Sequence, residues 1–294
     1  EFSVGVSPPI IDLGEIGRDS TKIVKFHIVT PSTDPLLVYL EPERGSIDFF
    51  RSENYKEIIL NYSEEDVSSW AEFLSNPIEL KPVNETLKTK AGEIKGWKEI
   101  SFLLNIPKDA EPGYHMLKIK PFPSVPSEII GEAGARVVAI TSVTVLFNVS
   151  GDARREGIIL DVTSGNYIGN RLEINTYFQN VGTTTISART FQNVYNHGES
   201  IANLTSQLEF IKPGEVKVFK TFLPTDKISS NDYDVFTTVD YTTNSTSKIS
   251  ILTIPTPSSL AITPSVVFPL WLIILIVIVV ITICIYKWYK WKLK

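Results

Sequence analysis

Cysteine and histidine are scarce in this chain, which has one cysteine and three histidines among 294 residues. The single Cys284 has no partner for an internal disulfide, and it lies within an apolar stretch near the C-terminus. His27, His115 and His197 are far apart, and none has a second histidine or cysteine at the spacing of zinc ligands. Disulfides, thiolate catalysis and a local zinc site are therefore not expected, and the fold must be stabilised by packing.

Catalytic sequence motifs are missing as well. The chain contains no G-x-S-x-G elbow, H-E-x-x-H pair, P-loop or G-x-G-x-x-G turn. Spacing alone leaves open a glycosidase carboxylate pair. It also leaves open calcium binding near Asp226 to Asp234, although this stretch lacks the regular spacing of a calcium loop. We expect a protein that is not an enzyme and has no metal or organic cofactor.

The charge balance is acidic, with a formal net charge of −5. Without the four lysines of 287–294, 24 basic residues remain against 33 acidic ones, a net charge of −9 for the rest of the chain. An acidic surface repels phosphate backbones. Nucleic acid is therefore not expected as a partner.

Charged residues are absent from the 21 residues between Val266 and Tyr286. A helix of this length spans roughly 30 Å, the thickness of the hydrocarbon core of a bilayer. The sequence thus predicts a transmembrane helix over 266–286, and the lysines that follow it predict a cytoplasmic basic tail over 287–294. The residues predicted at the membrane interface are Trp271, Tyr286, Lys287, Trp288, Lys290 and Trp291.

The N-terminal part is predicted to be extracellular, in a single-pass arrangement. The chain begins with EFSVGVSP rather than with methionine, and we interpret it as a mature protein whose signal peptide has been removed. N-x-S/T sequons in this part are candidate sites for N-linked glycans. They lie at Asn61, Asn84, Asn148, Asn203 and Asn244.

Short apolar segments with a period of two fill the part of the chain before the apolar stretch. Examples are TKIVKFHIV and KEISFLLNIP in residues 1–151, and RLEINTYFQNVG and YDVFTTVDY in residues 152–254. Segments that alternate in this way and end at turn residues are typical of strands in sandwiches. The sequence therefore predicts an all-β fold of two tandem immunoglobulin-like β-sandwiches over 1–151 and 152–254, with a linker over 255–265 before the transmembrane α-helix.

One short helix is predicted outside the membrane, near 63–75. In SEEDVSSWAEFLS, Ser63 is placed as the N-cap and three acidic residues occupy the first turn, where the helix dipole favours them. Val67, Trp70 and Leu74 then fall on one face.

Four segments stand out within the predicted sandwiches: VSPPIIDLGEIGRDSTKIVKFHIV, IPKDAEPGYHMLKI, FQNVGTTTIS and IKPGEVKVFKTF. Together with the basic-tailed apolar stretch, they resemble prokaryotic cell-surface proteins built from tandem immunoglobulin-like modules. The layout is similar to that of the WxL-interacting proteins of Gram-positive bacteria, and NEW3-like and CARDB-like modules of archaeal envelope proteins are similar too. This resemblance implies scaffolding or adhesion at the cell surface, and it transfers no catalytic residue.

Two functions follow from these expectations. The first is a non-enzymatic, membrane-anchored scaffold that anchors or spaces an extracellular structure such as an S-layer, a pilus or a wall polymer. The alternative is an accessory single-pass subunit that covers the outer face of a membrane-embedded enzyme or transport complex. The expected partners are the lipid bilayer and other envelope or membrane-complex proteins.

Overall fold

The computed structural model of the chain describes residues 3–32, 35–46, 56–89, 92–124, 139–224, 226, 228 and 232–254. These residues are nearly all β, with one five-residue helix, α1 (Lys56–Leu60), and a 3₁₀ turn at Ser68–Trp70. The prediction of an all-β fold is confirmed. Within these ranges, no helix has the length and apolar character needed to cross a bilayer.

The predicted linker 255–265, transmembrane helix 266–286 and basic tail 287–294 lie outside the described residues. The same holds for the predicted interface residues Trp271, Tyr286, Lys287, Trp288, Lys290 and Trp291.

The N-terminal sandwich comprises the first eleven strands of the described residues. They are β1 (Ser3–Ser7), β2 (Ile10–Ile16), β3 (Ser20–Thr30), β4 (Leu36–Arg44), β5 (Ala71–Phe73), β6 (Ile78–Leu80), β7 (Pro82–Thr89), β8 (Gly92–Ile106), β9 (Gly113–Ser124), β10 (Ala139–Ile140) and β11 (Val143–Val149).

Two sheets form this sandwich. One has the order β10-β1-β3-β8-β5, with β7 also paired to β8, and the other has the order β2-β11-β9-β4-β6. The chain passes from the first sheet to the second at Pro8 and Pro9, which cannot donate to a strand ladder and so end β1. Both N-terminal strands pair in parallel with later ones, β1 with β10 and β2 with β11.

The core of the N-terminal sandwich is the apolar layer between these sheets. In β3, Val24, Phe26 and Ile28 are buried, whereas their neighbours Ile23 and Lys25 are exposed. This is the alternation that the sequence predicted for TKIVKFHIV. The core is continuous, and it combines residues of β3 and β8 with residues of β4, β9 and β11.

The C-terminal sandwich comprises the remaining strands of the described residues. They are β12 (Gly157–Ile168), β13 (Arg171–Asn180), β14 (Ile186–Asn196), β15 (Glu199–Thr205), β16 (Glu209–Ile211), β17 (Val216–Pro224), β18 (Asp232–Tyr241) and β19 (Asn244–Thr253). One sheet has the order β12-β13-β17, and the other the order β15-β14-β18-β19 with β16 beside β14. The predicted boundary between residues 151 and 152 falls in the stretch between β11 and β12.

A buried polar layer divides the core of the C-terminal sandwich into two apolar clusters. The Gln192 side chain on β14 donates to the Thr176 hydroxyl at 3.0 Å and to the Thr237 hydroxyl at 3.3 Å, and it accepts from the Thr221 hydroxyl. Thr176 and Thr221 belong to the three-stranded sheet, and Gln192 and Thr237 to the other. These hydrogen bonds therefore connect the two sheets across the core.

The predicted helix near 63–75 is wrong. Residues 63–67 are irregular, Ser68–Trp70 form the 3₁₀ turn, and Ala71–Phe73 form strand β5, which pairs with β8. The Ser63 hydroxyl does accept from a nearby amide, that of Glu65 at 3.1 Å, but it donates to Glu111 at 2.6 Å. Glu64 and Glu65 are held by distant contacts, and these contacts outweigh the local helix signal.

Candidate functional site

The two sandwiches meet at a set of hydrogen bonds that we call the joint, formed by residues 59–66 and Glu111 on one side and by Arg155 and residues 185–187 on the other. At its centre, the Glu111 carboxylate accepts from the Thr185 amide at 2.5 Å and from the Thr185 hydroxyl at 2.6 Å. The same carboxylate accepts from the Ser63 hydroxyl at 2.6 Å. Thr185 is 4% exposed, so water has little access to its amide and hydroxyl. The Glu111 carboxylate supplies the acceptor that these two groups would otherwise lack.

Glu64 adds a second pair of contacts across the joint. Its amide donates to the Thr185 carbonyl at 3.0 Å, and its carboxylate accepts from the Ser187 hydroxyl at 2.9 Å. The main chain of Thr185 is thus held at both its N–H and its C=O by the N-terminal sandwich.

Arg155 crosses the joint in the opposite direction. It is 7% exposed, and its guanidinium donates to the carbonyls of Ile59 and Leu60 at the end of α1. Burial lowers the pKa of Arg155, and the charge of Glu64 acts against this shift. The carbonyls at the end of so short a helix have no hydrogen-bond partner within it. The Arg155 guanidinium supplies that partner and so caps the C-terminal end of α1.

A buried histidine lies directly behind the joint. His115 on β9 is fully buried, and its Nε2 is 3.0 Å from the Glu65 carboxylate. The same Glu65 oxygen accepts from the Glu111 amide at 3.0 Å. His115 is thereby connected through Glu65 to Glu111 and so to the centre of the joint.

A groove of about 550 Å³ lies beside the joint and includes residues of both sandwiches. The Arg44 guanidinium stacks on the Phe210 ring, 3.9 Å from its centroid, and lies 3.7 Å from the Asp66 carboxylate. Burial alone would raise the pKa of Asp66, but hydrogen bonds from Ser68 and the charge of Arg44 lower it. Thr242 also lines the groove and has a φ of 51°, a strained value for a β-branched residue.

An adjoining groove of about 570 Å³ is predominantly acidic. Its ionisable lining residues are Arg44, Glu64, Glu65, Asp66, Asp109, Glu111, Lys212 and Glu215. No group of three or more histidine, cysteine or carboxylate side chains within the described ranges is arranged to hold a metal ion. The first groove also has Leu208 and Phe210 in its lining and so offers apolar as well as charged contacts, whereas the second offers contacts through carboxylates and two cationic side chains.

Two of the five sequons lie at exposed positions of the C-terminal sandwich. Asn203 is exposed on β15 and pairs with Asn193 on β14. Asn244 is exposed at the start of β19, but its side-chain nitrogen donates to the Arg155 carbonyl at 3.2 Å. Because a glycan would be attached to that nitrogen, Asn203 is the less encumbered acceptor.

The other three sequons lie in the N-terminal sandwich. Asn61 follows α1 and is half-buried, and its carbonyl accepts from the Tyr114 amide at 2.8 Å. Asn148 is half-buried on β11, which is paired on both sides. Asn84 lies on β7. Glycosylation at each of them stays a prediction.

Among the described residues of the stretch near Asp226 to Asp234, no three carboxylate side chains are arranged to hold a metal ion. The Asp232 carboxylate accepts from the Thr253 hydroxyl at 2.6 Å and so ties β18 to β19. Asp226 and Asp234 are exposed, and residues 229–231 lie outside the described part of the chain.

Sequence reasoning did not predict the contacts of the joint. Glu111 lies in IPKDAEPGYHMLKI and Thr185 in FQNVGTTTIS, two segments that carry the resemblance to surface proteins. Their turn-forming composition was recognisable, but no local pattern indicates that two turns 74 residues apart share a hydrogen bond. The sequence signal was limited to a charged residue, Glu111, and a hydroxyl residue, Thr185, each shortly before an apolar strand.

The site and the fold together define an all-β protein of two sandwiches connected by a buried polar joint. No protein-family profile matches the chain, and no curated protein matches it. It is similar to solved structures of fimbrial chaperones at low scores. The class 5 fimbriae chaperone CfaA has 10% identity and a TM-score of 0.34, with 86% of this chain and 99% of that chain covered. The YadV chaperone has 11% identity and a TM-score of 0.33 over 85% and 99%. The Escherichia coli chaperone DraB has 13% identity and a TM-score of 0.29 over 85% and 97%. At these values the similarity assigns no activity or partner to this chain.

Proposed function

We propose that this chain is a non-enzymatic scaffold at the cell surface, where two immunoglobulin-like sandwiches hold an extracellular structure at a defined distance from the membrane. In this proposal the sandwiches are extracellular, 266–286 spans the membrane and 287–294 lies in the cytoplasm. Its partners are the bilayer and other envelope proteins, as in the prokaryotic surface proteins that the sequence resembles.

The joint is the observation that carries this proposal. Thr185 is held at its amide, carbonyl and hydroxyl by Glu111 and Glu64, and Arg155 adds contacts in the reverse direction. Hydrogen bonds to main-chain groups fix direction as well as distance, because they weaken steeply when bent. Two sandwiches connected in this way form a spacer of defined geometry, which favours a mechanical role.

Several alternatives for the attached structure are consistent with the scaffold. An S-layer, a pilus or a wall polymer would each need a polar contact surface, and the acidic groove beside the joint supplies one. We place the partner contact there, because the grooves include residues of both sandwiches and a partner bound there would contact both.

The second candidate is an accessory subunit of a membrane-embedded complex. The observation in its favour is the outer face of β18 and β19, where Ile249 is 68% exposed, Ile251 is 69% exposed and Phe236 is 38% exposed. Large apolar side chains side by side on an outer sheet face often mark a protein contact. On this candidate, the outer face packs against a neighbouring subunit.

Purification from native membranes in mild detergent, with mass spectrometry of the co-purifying chains, tests both candidates. Recovery of a surface-layer, filament or wall-polymer component supports the scaffold, and recovery of the chain strictly alone refutes it. Cross-linking from Ile281 or Cys284 separates the candidates, because only an accessory subunit has another polypeptide beside its helix in the bilayer. Failure to cross-link any polypeptide removes the second candidate.

A further inference from the structure

Two buried polar atoms belong to residues that line the first groove, the one of about 550 Å³ beside the joint, and have no hydrogen-bond partner in the described part of the chain. They are Nε of Arg44, at the end of β4, and Oγ1 of Thr242, in the turn between β18 and β19. Buried polar atoms in folded proteins nearly always have a partner. Arg44 and Thr242 belong to different sandwiches, so a ligand that paired with both would bridge the two.

Thr242 occupies a position that is unfavourable for its own side chain. Only Thr242 and Thr243 connect β18 to β19, and the φ of Thr242 is 51°. Two-residue hairpin turns favour glycine, asparagine or aspartate at a positive φ, because a β-branched side chain crowds the main chain there. Strained residues of this kind cluster at ligand-binding positions. The Thr242 side chain therefore strains its turn without gaining a hydrogen bond among the described residues.

The carboxylates of the groove, in contrast, already have donors. The Glu64 carboxylate accepts from the Ser187 hydroxyl at 2.9 Å. The Asp66 carboxylate accepts from the Ser68 amide at 3.0 Å. The two unpartnered atoms are an N–H donor and a hydroxyl that can donate or accept. A ligand that fits this groove must therefore supply acceptors in the first place.

The charges of the groove favour a neutral acceptor. Its ionisable lining residues are Arg44, Glu64 and Asp66, so an anion would meet two carboxylates and a cation would meet the guanidinium. The Arg44 guanidinium lies 3.7 Å from the Asp66 carboxylate, which is longer than a hydrogen bond. This contact leaves the guanidinium free to turn its Nε towards a ligand.

Apolar side chains form another wall of the same groove. Leu208 is 48% exposed and Phe210 is 41% exposed, and both line it. A carbonyl oxygen beside an apolar side chain is the repeating chemistry of a polypeptide. A sugar presents hydroxyls that donate as well as accept, and the carboxylates that could accept from them are already hydrogen-bonded.

We propose that the first groove binds a neutral, apolar segment of a partner polypeptide. A main-chain carbonyl of that segment accepts from Arg44 Nε, a second main-chain group pairs with the Thr242 hydroxyl, and an apolar side chain packs on Leu208 and Phe210. This inference rests on the proposed function, because it assigns the class of the scaffold's partner: a protein of a pilus or a surface layer rather than a wall polymer.

Three small probes test this assignment with the full chain, in a detergent without a sugar head group. N-acetyl-leucine methylamide has neutral carbonyls and an apolar side chain, N-acetyl-leucine has a carboxylate instead of the methylamide, and methyl glucoside offers mainly hydroxyls. Saturation-transfer NMR measures the binding of each probe, and the detergent alone gives the background. We expect the methylamide to bind more tightly than the acid, and the glucoside not to bind.

Two variants of the groove and one matched control locate the binding. Thr242→Val keeps the shape of the side chain and removes the hydroxyl, and Arg44→Lys keeps the charge and removes Nε. Each should weaken binding of the methylamide at least about threefold, the effect of one lost hydrogen bond. Thr243→Val should bind as the wild type does, because Thr243 is exposed in the same turn and is not among the residues that line the groove.

Thermal unfolding separates a ligand-binding role of Thr242 from a structural one. Glycine adopts a positive φ without strain. Thr242→Gly should therefore unfold at a temperature no lower than that of the wild type, while it loses affinity for the methylamide as Thr242→Val does. A lower unfolding temperature would mean that the threonine side chain supports the fold, and it would overturn the reasoning.

The binding experiments can overturn the proposal in three ways. The methylamide can fail to bind, or it can bind equally to the wild type and to both groove variants. The acid can bind more tightly than the methylamide, which would indicate an anionic ligand. The glucoside can bind in a way that depends on Thr242, which would indicate a polysaccharide. These outcomes leave the scaffold itself standing, because it is refuted only when purification from native membranes recovers the chain alone.

Discussion

Replacement of Glu111 by alanine should uncouple the two sandwiches. Three hydrogen bonds end on this carboxylate, from the Ser63 hydroxyl and from the amide and hydroxyl of Thr185. Glu111→Ala removes all three acceptors at once. The conservative variant Glu111→Gln keeps an oxygen for the amide and offers an NH₂ group to the Thr185 hydroxyl, which can accept as well as donate.

The difference between the two variants can be worked out from the contacts. In Glu111→Ala, the Thr185 amide is left in a residue that is 4% exposed, and an unpartnered buried donor costs about 1–3 kcal/mol. The two hydroxyls can turn towards other acceptors or towards water in the adjacent groove, so each adds about 0.5–1 kcal/mol. We expect a loss of about 2–5 kcal/mol for Glu111→Ala. We expect about 1 kcal/mol for Glu111→Gln, which loses only the contribution of the charge.

Chemical denaturation of the full chain measures this loss. Tryptophan occurs at Trp70 and Trp97 and within 255–294, but not within 152–254. Of the two sandwiches, only the N-terminal one therefore contributes tryptophan fluorescence, whereas circular dichroism reports both. The two signals should change together in the wild type and in Glu111→Gln, and should separate in Glu111→Ala. Equal losses in the two variants would refute the reasoning. So would strictly additive effects of Glu111→Ala and Thr185→Val, because neighbouring groups that share a hydrogen bond should couple.

The remaining predictions concern each sandwich by itself. Gly157→Ala should cost about 1–3 kcal/mol in thermal unfolding, because the added Cβ would overlap the buried Phe178 ring. Gly17→Ala has nothing within 4 Å of its Cβ and should be neutral or mildly stabilising. Gln192→Leu should lower the free energy of unfolding by about 2–4 kcal/mol, because three buried threonine hydroxyls each lose a hydrogen bond. Burial raises the pKa of Tyr62 above its usual value of 10.0. The contribution of Tyr62 to stability should therefore be constant below pH 10.0. It should fall above that pH, because the Tyr62 hydroxyl ionises in the unfolded chain before it ionises in the folded one. Tyr62→Phe should abolish this fall, as seen in unfolding experiments at alkaline pH.

Most of the strands could be predicted from the sequence, because their signal is local. TKIVKFHIV corresponds to β3 and YDVFTTVDY to β18, where apolar side chains alternate between core and solvent. β15 was not predicted. Its sequence ESIANLT has few large apolar residues, and it is placed by pairing with β14 at the margin of its sheet.

The helix near 63–75 and the joint show why the rest could not be predicted. An acidic run after a serine is a helix start only if no distant group binds the carboxylates more strongly. Here the Glu64 carboxylate accepts a hydrogen bond from Ser187, 123 residues away, and the Glu65 carboxylate is hydrogen-bonded to His115, 50 residues away. The same contacts that remove the helix create the joint. The wrong prediction and the missed site therefore have one cause.

The joint differs in kind from the contacts within each sandwich, and this difference bears on the function. The sandwich cores are packed largely from apolar side chains, which resist separation but specify direction weakly. The joint is made of carboxylate, hydroxyl and guanidinium contacts to main-chain groups at Thr185 and at the end of α1. Thr185 immediately precedes β14, an interior strand of its sheet, so the main-chain group that is held across the joint moves with that sheet. An orientation imposed at Thr185 is therefore transmitted to the whole C-terminal sandwich. A spacer needs this property, because its usefulness depends on the angle that it keeps under load rather than on the area that it buries.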